Sequence, residues 1–252
     1  MSYMLEVKGL SKRFGGLVAS SNINFSVETG EIFGVIGPNG AGKTTLFNVI
    51  AGHYRPSAGS IVFEGREISG RTSNQIGRIG IARTFQAVHL FRSESVAENL
   101  RRAAVISRRH SPLAYFTASS EGIQAKLDAV SQFLGFEGFL RSVAGSLPYG
   151  HQKMLGVGMA LMTSPKLLLM DEPVAGLNPS EKKEAASTIR RIRDELGVTI
   201  LLVEHDMPLV MGICDRIMVI NQGKPLALGC PETIKSDASV IEAYLGEDYE
   251  FA

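Results

Sequence analysis

Residues 37–45 of this 252-residue chain read GPNGAGKTT, a glycine-rich segment that ends in a lysine and two hydroxyl side chains. Glycine lets the backbone bend so that its N–H groups converge on an anion, and a following helix adds positive potential. Lys43 would bring a point charge to the β- and γ-phosphates of a nucleotide, while the Thr44 hydroxyl would ligate Mg²⁺ and Thr45 would add a phosphate contact. A glycine turn with an incidental lysine is the alternative, but the flanking apolar strand and amphipathic helix are the context that the motif requires. The predicted phosphate contacts are Gly37, Pro38, Asn39, Gly40, Ala41, Gly42, Lys43, Thr44 and Thr45.

Three further polar residues follow two apolar runs later in the chain. The run LLLM is followed by Asp171 and Glu172, and VTILLVE is followed by His205. Such runs are typical of parallel strands buried on both faces, and ligands of open α/β sheets gather at the carboxyl ends of those strands. We expect Asp171 to hold Mg²⁺ through water, Glu172 to orient or deprotonate an attacking water, and His205 to contact a γ-phosphate. Two acids that merely end a strand, or a purely structural histidine, are the alternatives.

The composition argues against several classes of protein. The formal net charge is +1, so no overall field favours nucleic acid as a partner. Cys214 and Cys230 are the two cysteines, and neither belongs to a CxxC pair, which indicates reduced thiols in a cytosolic protein. No apolar run approaches the ~20 residues that span a bilayer, and the N-terminus lacks the apolar core of a signal peptide. We expect such a protein to reach a membrane only through a partner.

Hydrophobic periodicity predicts the elements that must position these residues. Residues 1–36 alternate apolar runs with turns, which predicts strands with a hairpin turn at Thr29-Gly30. IVFEGREI predicts another hairpin and IARTFQ a short strand. The helix SEKKEAASTIRRIRDEL separates the two buried strands, with Ser180 as its predicted N-cap. This βαβ order implies a right-handed crossover and an α/β fold.

We therefore predict an α/β protein: a P-loop NTPase core with a mixed or parallel sheet, an N-terminal antiparallel β subdomain and a helical subdomain. The whole chain, 1–252, is expected to form a single domain. Residues 1–86 and 147–252 would supply a RecA-like core with the β subdomain, and residues 87–146 would supply the helical subdomain.

The motifs GPNGAGKTT, ARTFQ, LPYGHQ, LLLMDEP, AGLNP and EHD follow one another along the chain. In this order they resemble the ATP-binding subunits of ABC transporters, and the resemblance extends over residues 4–246. It implies an ATPase that uses ATP and Mg²⁺. It also implies a head-to-tail dimer, in which each ATP lies between the phosphate loop of one subunit and the signature loop, LPYGHQ, of the other.

The same resemblance implies roles for individual residues. Phe14 would stack on adenine, with ordinary core packing as the alternative. Gln86 would bind Mg²⁺ and the attacking water at the hinge that senses a membrane partner, and AGLN, residues 175–178, would be the loop where two subunits touch. The expected catalytic residues are Lys43, Gln86, Glu172 and His205. The expected metal ligands are Thr44, Gln86 and Asp171, and the signature-loop contacts are Tyr149, Gly150 and His151.

More narrowly, GIARTFQAVHLFRSESVAENL, DEPVAGLNPSE and VIEAYLGE resemble the LivG-type ATP-binding subunits of branched-chain amino acid importers. This resemblance implies transmembrane permease subunits that dock near Gln86 and the helical subdomain, and a second ATPase subunit, identical or LivF-type. It also implies a solute-binding protein acting indirectly, and a place at the cytoplasmic face of the cell membrane. Urea, other amides and aromatic acids remain open as solutes. The alternatives are the ATPase of a lipid or lipopolysaccharide exporter, and a soluble ABC ATPase that acts on DNA or ribosomes.

Four basic residues in the helical segment would face either the permease or the membrane surface, or simply form a solvated helix face. They are Arg101, Arg102, Arg108 and Arg109.

The chain departs from the family pattern in its signature loop. Pro148 replaces the usual serine, Tyr149 a glycine and His151 a glutamine, and Asn178 replaces the aspartate of the AGLN segment. Losing a hydroxyl bonded to a charged phosphate forfeits about 1.5–3 kcal/mol, against the roughly 8–23 kcal/mol that a whole enzyme supplies. We expect a working site in which the backbone N–H groups of Tyr149, Gly150 and His151 carry more of the phosphate contact, helped by a helix N-terminus.

Overall fold

A computed structural model describes residues 3–84, 90–108 and 120–244. The strands are β1 (Tyr3–Phe14), β2 (Leu17–Glu28), β3 (Ile32–Ile36), β4 (Ala58–Phe63), β5 (Arg66–Glu67), β6 (Ile81–Arg83), β7 (Leu167–Asp171), β8 (Thr199–Val203), β9 (Arg216–Asn221) and β10 (Lys224–Gly229). The helices are α1 (Lys43–Ile50), α2 (Ser73–Arg78), α3 (Val96–Arg108), α4 (Ser120–Leu134), α5 (Tyr149–Leu161), α6 (Pro179–Leu196), α7 (Met207–Ile213), α8 (Pro231–Ser236) and α9 (Ala238–Tyr244). No helix within these ranges combines the length and apolar character needed to cross a membrane.

The antiparallel sheet has the strand order β2-β1-β4-β5 and forms the predicted β subdomain. Its first hairpin turns at Gly15-Gly16, because Phe14 pairs with Leu17. The predicted hairpin at Thr29-Gly30 is therefore wrong: a turn lies there, but it leads from β2 into β3, which belongs to the other sheet. The reason is burial, since all five residues of β3 are buried whereas β2 alternates between buried and more exposed positions.

The second sheet has the order β10-β9-β3-β8-β7-β6 and is parallel except where β10 pairs with β9. Every residue of β3, β7 and β8 is buried, as the continuous apolar runs predict. Val203 of β8 pairs with Val35 of β3 on one side and with Asp171 of β7 on the other. The carboxyl ends of these three strands therefore meet at one edge, which brings the phosphate loop, the two acids and His205 together.

Helices α3, α4 and α5 form the helical layer, and Gly158 of α5 is the point of closest approach. A Cβ there would lie 2.8 Å from a methyl carbon of Leu134 and 3.2 Å from one of Leu100, so only glycine fits without a shift. Gly156, in contrast, faces open space. Gly158 therefore costs helix propensity but allows close packing of α5 against both neighbouring helices.

Two basic residues of α3 form ion pairs on its surface. Arg101 pairs with Glu98 at 2.6 Å, and Arg102 pairs with Glu94 at 2.8 Å. These pairs agree with a solvated helix face. Arg109 lies outside the described residues, and the side chain of Arg108 is likewise not described.

Helix α6 begins at Pro179, and its N-cap lies two residues before the predicted Ser180. Its N-cap is Asn178, whose side-chain oxygen accepts hydrogen bonds from the N–H groups of Ser180 and Glu181, while Glu181 accepts from the N–H of Asn178. Pro179 takes the first helical position, which it favours. The prediction of Ser180 as N-cap is therefore wrong, because the complete capping box belongs to Asn178.

Candidate nucleotide-binding and hydrolysis site

The phosphate loop joins β3 to α1, and two of its glycines are required by neighbouring backbone. Gly37 has φ 152° and Gly42 has φ 102°, values that favour glycine. A Cβ at Gly37 would collide with the carbonyl oxygen of Ile220, and one at Gly42 with that of Ala19. The loop is thus fixed from both sides by β9 and β2, which pre-forms its curvature.

Lys43 is buried beneath this loop. Its Nζ donates to the carbonyl of Gly37 and to that of Pro38, the latter at 2.9 Å. The neighbouring hydroxyl residues are more open, with Thr44 exposed and Thr45 half-buried. The lysine charge and the Thr44 hydroxyl therefore both belong to the first turn of α1, directly after the phosphate loop.

Asp171 is buried at the end of β7 and pairs with a residue that the sequence did not single out. Its Oδ2 lies 2.7 Å from Arg83, which also donates to Asn48 of α1 at 2.6 Å. Asp171 Oδ1 is buried and has no hydrogen-bond partner. Asp171 ends β7 at the sheet edge that carries the phosphate loop, and an unsatisfied carboxylate oxygen is a suitable ligand for a hard cation or its water.

Glu172 adopts a backbone conformation that is uncommon for a residue with a side chain. Its φ is 50°, in the left-handed region, where a non-glycine residue costs roughly 1–3 kcal/mol and persists only if its surroundings impose it. Its N–H donates to the carbonyl of Val203 at 2.8 Å. Its carboxylate Oε1 lies 2.9 Å from His205 Nε2, so the two residues expected to act on the γ-phosphate form one hydrogen-bonded unit.

Glu204, between β8 and His205, is a further buried carboxylate that the sequence did not nominate. It accepts from the N–H of Val174 at 2.8 Å and from that of His205 at 2.9 Å. Burial raises the pKa of Glu204, against the opposing effects of these backbone hydrogen bonds and of the Lys153 charge. The EHD motif alone did not distinguish this buried acid from an exposed one.

The signature segment LPYGHQ runs into α5: Pro148 is the N-cap of that helix and provides no side-chain hydrogen bond to it. The predicted N–H donors of Tyr149, Gly150 and His151 are therefore the first three residues of a helix, as expected. Tyr149 packs against Gly176, whose Cβ, if present, would lie 3.1 Å from the tyrosine ring.

Gly150 and His151 face parts of this chain that the sequence did not anticipate. A Cβ at Gly150 would lie 2.9 Å from Oε1 of Glu181, the residue that completes the capping box of α6 with Asn178. The His151 ring lies 5.1 Å from that of Phe139 and 6.1 Å from that of Phe136, centroid to centroid. His151 therefore packs against the segment that follows α4, and its contact with phosphate stays a prediction.

Phe14 lies at the end of β1 and is 41% exposed, which argues against simple core packing. Its ring meets that of Tyr54 edge to face, with centroids 5.2 Å apart, and Lys12 Nζ lies 4.8 Å from the Phe14 centroid. An exposed ring held in this way is available for stacking on a base. Gln86, the other residue given a role by resemblance, lies outside the described residues.

Comparison with known proteins agrees with this geometry. Residues 20–175 match the family described as ABC transporter, and residues 224–250 match the branched-chain amino acid ATP-binding cassette transporter family. The chain is 45% identical to the high-affinity branched-chain amino acid transport ATP-binding protein LivG of Salmonella typhimurium, over 97% of this chain and 98% of that protein. It is 44% identical to the corresponding protein BraF of Pseudomonas aeruginosa, with the same coverage.

Solved structures lead to the same conclusion. A nucleotide-free ATP-binding cassette from an ABC transporter superposes with a TM-score of 0.87 at 31% identity, covering 98% of this chain and all of that one. A cassette solved in its ADP conformation gives the same TM-score and identity. The predicted α/β fold is thereby confirmed, and the chain belongs to the ABC transporter family as one of its ATP-binding, ATP-hydrolysing subunits.

Proposed function

We propose that this chain hydrolyses ATP to power the import of branched-chain amino acids. The observation that carries the chemical part is the Glu172–His205 pair, 2.9 Å apart at the sheet edge that also carries the phosphate loop. The solute class is supported by the relatives, which are named as branched-chain amino acid transport proteins and match nearly the whole chain.

The phosphate loop would hold the nucleotide, with Phe14 against adenine and Lys43 at the β- and γ-phosphates. Lys43 would exchange its loop carbonyls for phosphate oxygens, a stronger, charge-assisted set of partners. Because the loop is already curved by its contacts with β2 and β9, little backbone ordering remains to oppose binding.

The residues present are suitable for Mg²⁺. Asp171 offers an unsatisfied buried carboxylate oxygen and Thr44 an exposed hydroxyl, both oxygen ligands of the kind that Mg²⁺ prefers. We propose that these two residues hold the ion together with Gln86. When bound, Mg²⁺ neutralises charge on the β- and γ-phosphate oxygens.

Glu172 would orient the attacking water and accept its proton, and His205 would fix the carboxylate while donating to the γ-phosphate. Hydrogen-bonding geometry of 2.6–3.2 Å is what a general base and its orienting partner require, and 2.9 Å lies in that range. Proper positioning matters because phosphoryl transfer asks little covalent chemistry of the protein and depends on alignment and electrostatics.

The second half of each site would come from another ATPase subunit. The helix N-terminus at Pro148 presents the amides of Tyr149, Gly150 and His151, and such a terminus favours an anion. We propose a head-to-tail dimer, identical or LivF-type, that works at the cytoplasmic membrane face on permease subunits docked near the helical subdomain. Residues 87–146 form that subdomain in this proposal. The exporter and soluble-ATPase alternatives are not favoured by the relatives, whose names place them in amino acid transport.

Uptake in the native host tests the proposal. Deletion of the gene should abolish energised uptake of labelled leucine, isoleucine and valine, and the wild-type gene should restore it. Glu172→Gln should not restore uptake, although the protein is present at normal level. Normal branched-chain uptake in the deletion strain, with loss of urea or aromatic-acid uptake instead, would overturn the solute assignment.

A further inference from the structure

Lys153 is a buried cation on α5, the helix that begins within the signature segment LPYGHQ. It lies one turn into α5, is 7% exposed, and donates from Nζ to the backbone carbonyl of Glu172 at 2.7 Å. Burying an amine is costly unless it is hydrogen-bonded and near opposite charge. An unbranched apolar side chain would fill the same space without that cost, so packing alone does not account for a lysine here.

Glu204 contacts the backbone that follows Glu172 and the backbone of His205. It is 2% exposed, and one carboxylate oxygen accepts from Val174 while the other accepts from His205. A single side chain therefore joins the backbone that follows Glu172 to the backbone that carries its histidine partner. The charges of Lys153 and Glu204 attract each other across this loop.

The backbone of Glu172 is thus held at successive points. Its N–H donates to the carbonyl of Val203. Its carbonyl accepts from Lys153 at 2.7 Å and, at the longer distance of 3.3 Å, from the N–H of Ala175, and the N–H of Val174 donates to Glu204. These contacts surround a residue with φ 50°, a conformation that a side-chain-bearing residue keeps only when neighbours determine it. We expect loss of the shorter, charged Lys153 contact to weaken this constraint and to let the Glu172 carboxylate shift relative to His205.

We propose that Lys153 and Glu204 are positioning residues for ATP hydrolysis, which together fix the backbones of Glu172 and His205 so that carboxylate and imidazole remain in hydrogen-bond contact. The inference rests on the proposed catalytic role of Glu172. Lys153 lies on α5, whose N-terminus is expected to contact the ATP bound by the partner subunit. Its bond to Glu172 therefore links that helix to the carboxylate expected to act on the ATP bound by this chain.

The test is steady-state ATP hydrolysis by the purified chain carrying Lys153→Met, Lys153→Arg or the matched control Lys235→Met, an exposed lysine on α8. Lys153→Met should lower kcat by about 10- to 100-fold, the usual effect of misplacing a reacting group by about 1 Å. KM for ATP should stay unchanged, since the phosphate loop is not touched. Lys153→Arg keeps a donor and a charge and should recover most of the activity, and the control should behave as wild type. A rise in KM at constant kcat would overturn the proposal.

Combination with Glu172→Gln separates this inference from the proposed function. If Lys153 acts through Glu172, the double variant should hydrolyse ATP no more slowly than Glu172→Gln in a single turnover. If the double variant is slower by the product of the two single-variant rate losses, Lys153 does not act through Glu172. If Glu172→Gln itself hydrolyses ATP at the wild-type rate, the assignment of Glu172 as catalytic residue is wrong. If only Lys153→Met hydrolyses ATP at the wild-type rate, the positioning role of Lys153 alone is wrong.

Thermal unfolding of each variant checks the fold. Should Lys153→Met unfold below the assay temperature, Glu204→Gln decides the question. It keeps the size of the side chain but replaces one of the two carboxylate acceptors with an amide donor, so kcat should fall at unchanged KM. Wild-type kcat in a folded Glu204→Gln variant would overturn the proposal.

Discussion

Replacing Asn178 with alanine should destabilise the start of α6 by a predictable amount. The asparagine oxygen accepts two backbone hydrogen bonds, from Ser180 and Glu181, each 3.0 Å long. Loss of such an N-cap costs about 0.5–2 kcal/mol, typically near 1 kcal/mol. In a chain of this size, 1 kcal/mol shifts Tm by roughly 2–4 °C. We therefore expect Asn178→Ala to lower Tm by a few degrees.

Asn178→Asp is the matched control, because aspartate and asparagine are equally good N-caps. It also restores the residue type usual in the family at this position, so its stability separates capping from any function of the carboxylate. The assay is thermal unfolding together with urea unfolding at constant pH. The urea midpoint should fall for Asn178→Ala with an unchanged m-value. A wild-type midpoint in the alanine variant, or an equal loss in the aspartate variant, would refute the assignment of Asn178 as the cap.

Other substitutions probe the remaining close contacts. Gly150→Ala places a Cβ 2.9 Å from Oε1 of Glu181, so it should lower the urea midpoint, and the additional change Glu181→Ala should restore part of it; no loss would contradict the packing seen here. Gly42→Ala places a Cβ against the carbonyl of Ala19 at a residue whose backbone φ is 102°. It should weaken the binding of a fluorescent ATP analogue at least tenfold, and an unchanged affinity would contradict a pre-formed phosphate loop. Burial raises the pKa of Glu204, so around and above pH 4.5 the folded state binds more protons than the unfolded state, and wild-type stability falls as this carboxyl ionises. Glu204→Gln does not ionise, so its free energy of unfolding should rise relative to that of wild type between pH 4.5 and pH 8 in urea titrations. If the difference in unfolding free energy between the two proteins stayed the same at every pH, the raised pKa would be contradicted.

The sequence predicts the local parts of this site well. The phosphate loop depends on a contiguous segment with a defined strand before it and a helix after it. Asp171 ends an apolar strand, and His205 follows two residues after the end of another. Local patterns of this kind do not depend on which distant segments meet. The failed hairpin at Thr29-Gly30 shows the limit, because turn residues indicate that the chain reverses but not which sheet the next strand joins.

Long-range contacts account for what the sequence left open. Arg83 and Asp171 are 88 positions apart, and nothing near either residue indicates their ion pair. Lys153 lies in the helix whose first residues were expected to serve a partner's ATP, so its bond to the carbonyl of Glu172 was not foreseen. The ring of His151 likewise contacts Phe136 and Phe139, which follow α4 and are not indicated by the signature motif.

We propose that Glu172 is the hydrolytic carboxylate of an ATP-sandwich dimer. Light scattering of purified Glu172→Gln with saturating ATP, alongside wild type and a sample without nucleotide, tests this most directly. We expect a stable dimer with intact bound ATP for the variant only, because the site closes but does not activate water. A variant that stays monomeric at saturating ATP, or that converts ATP to ADP at the wild-type rate, would contradict it.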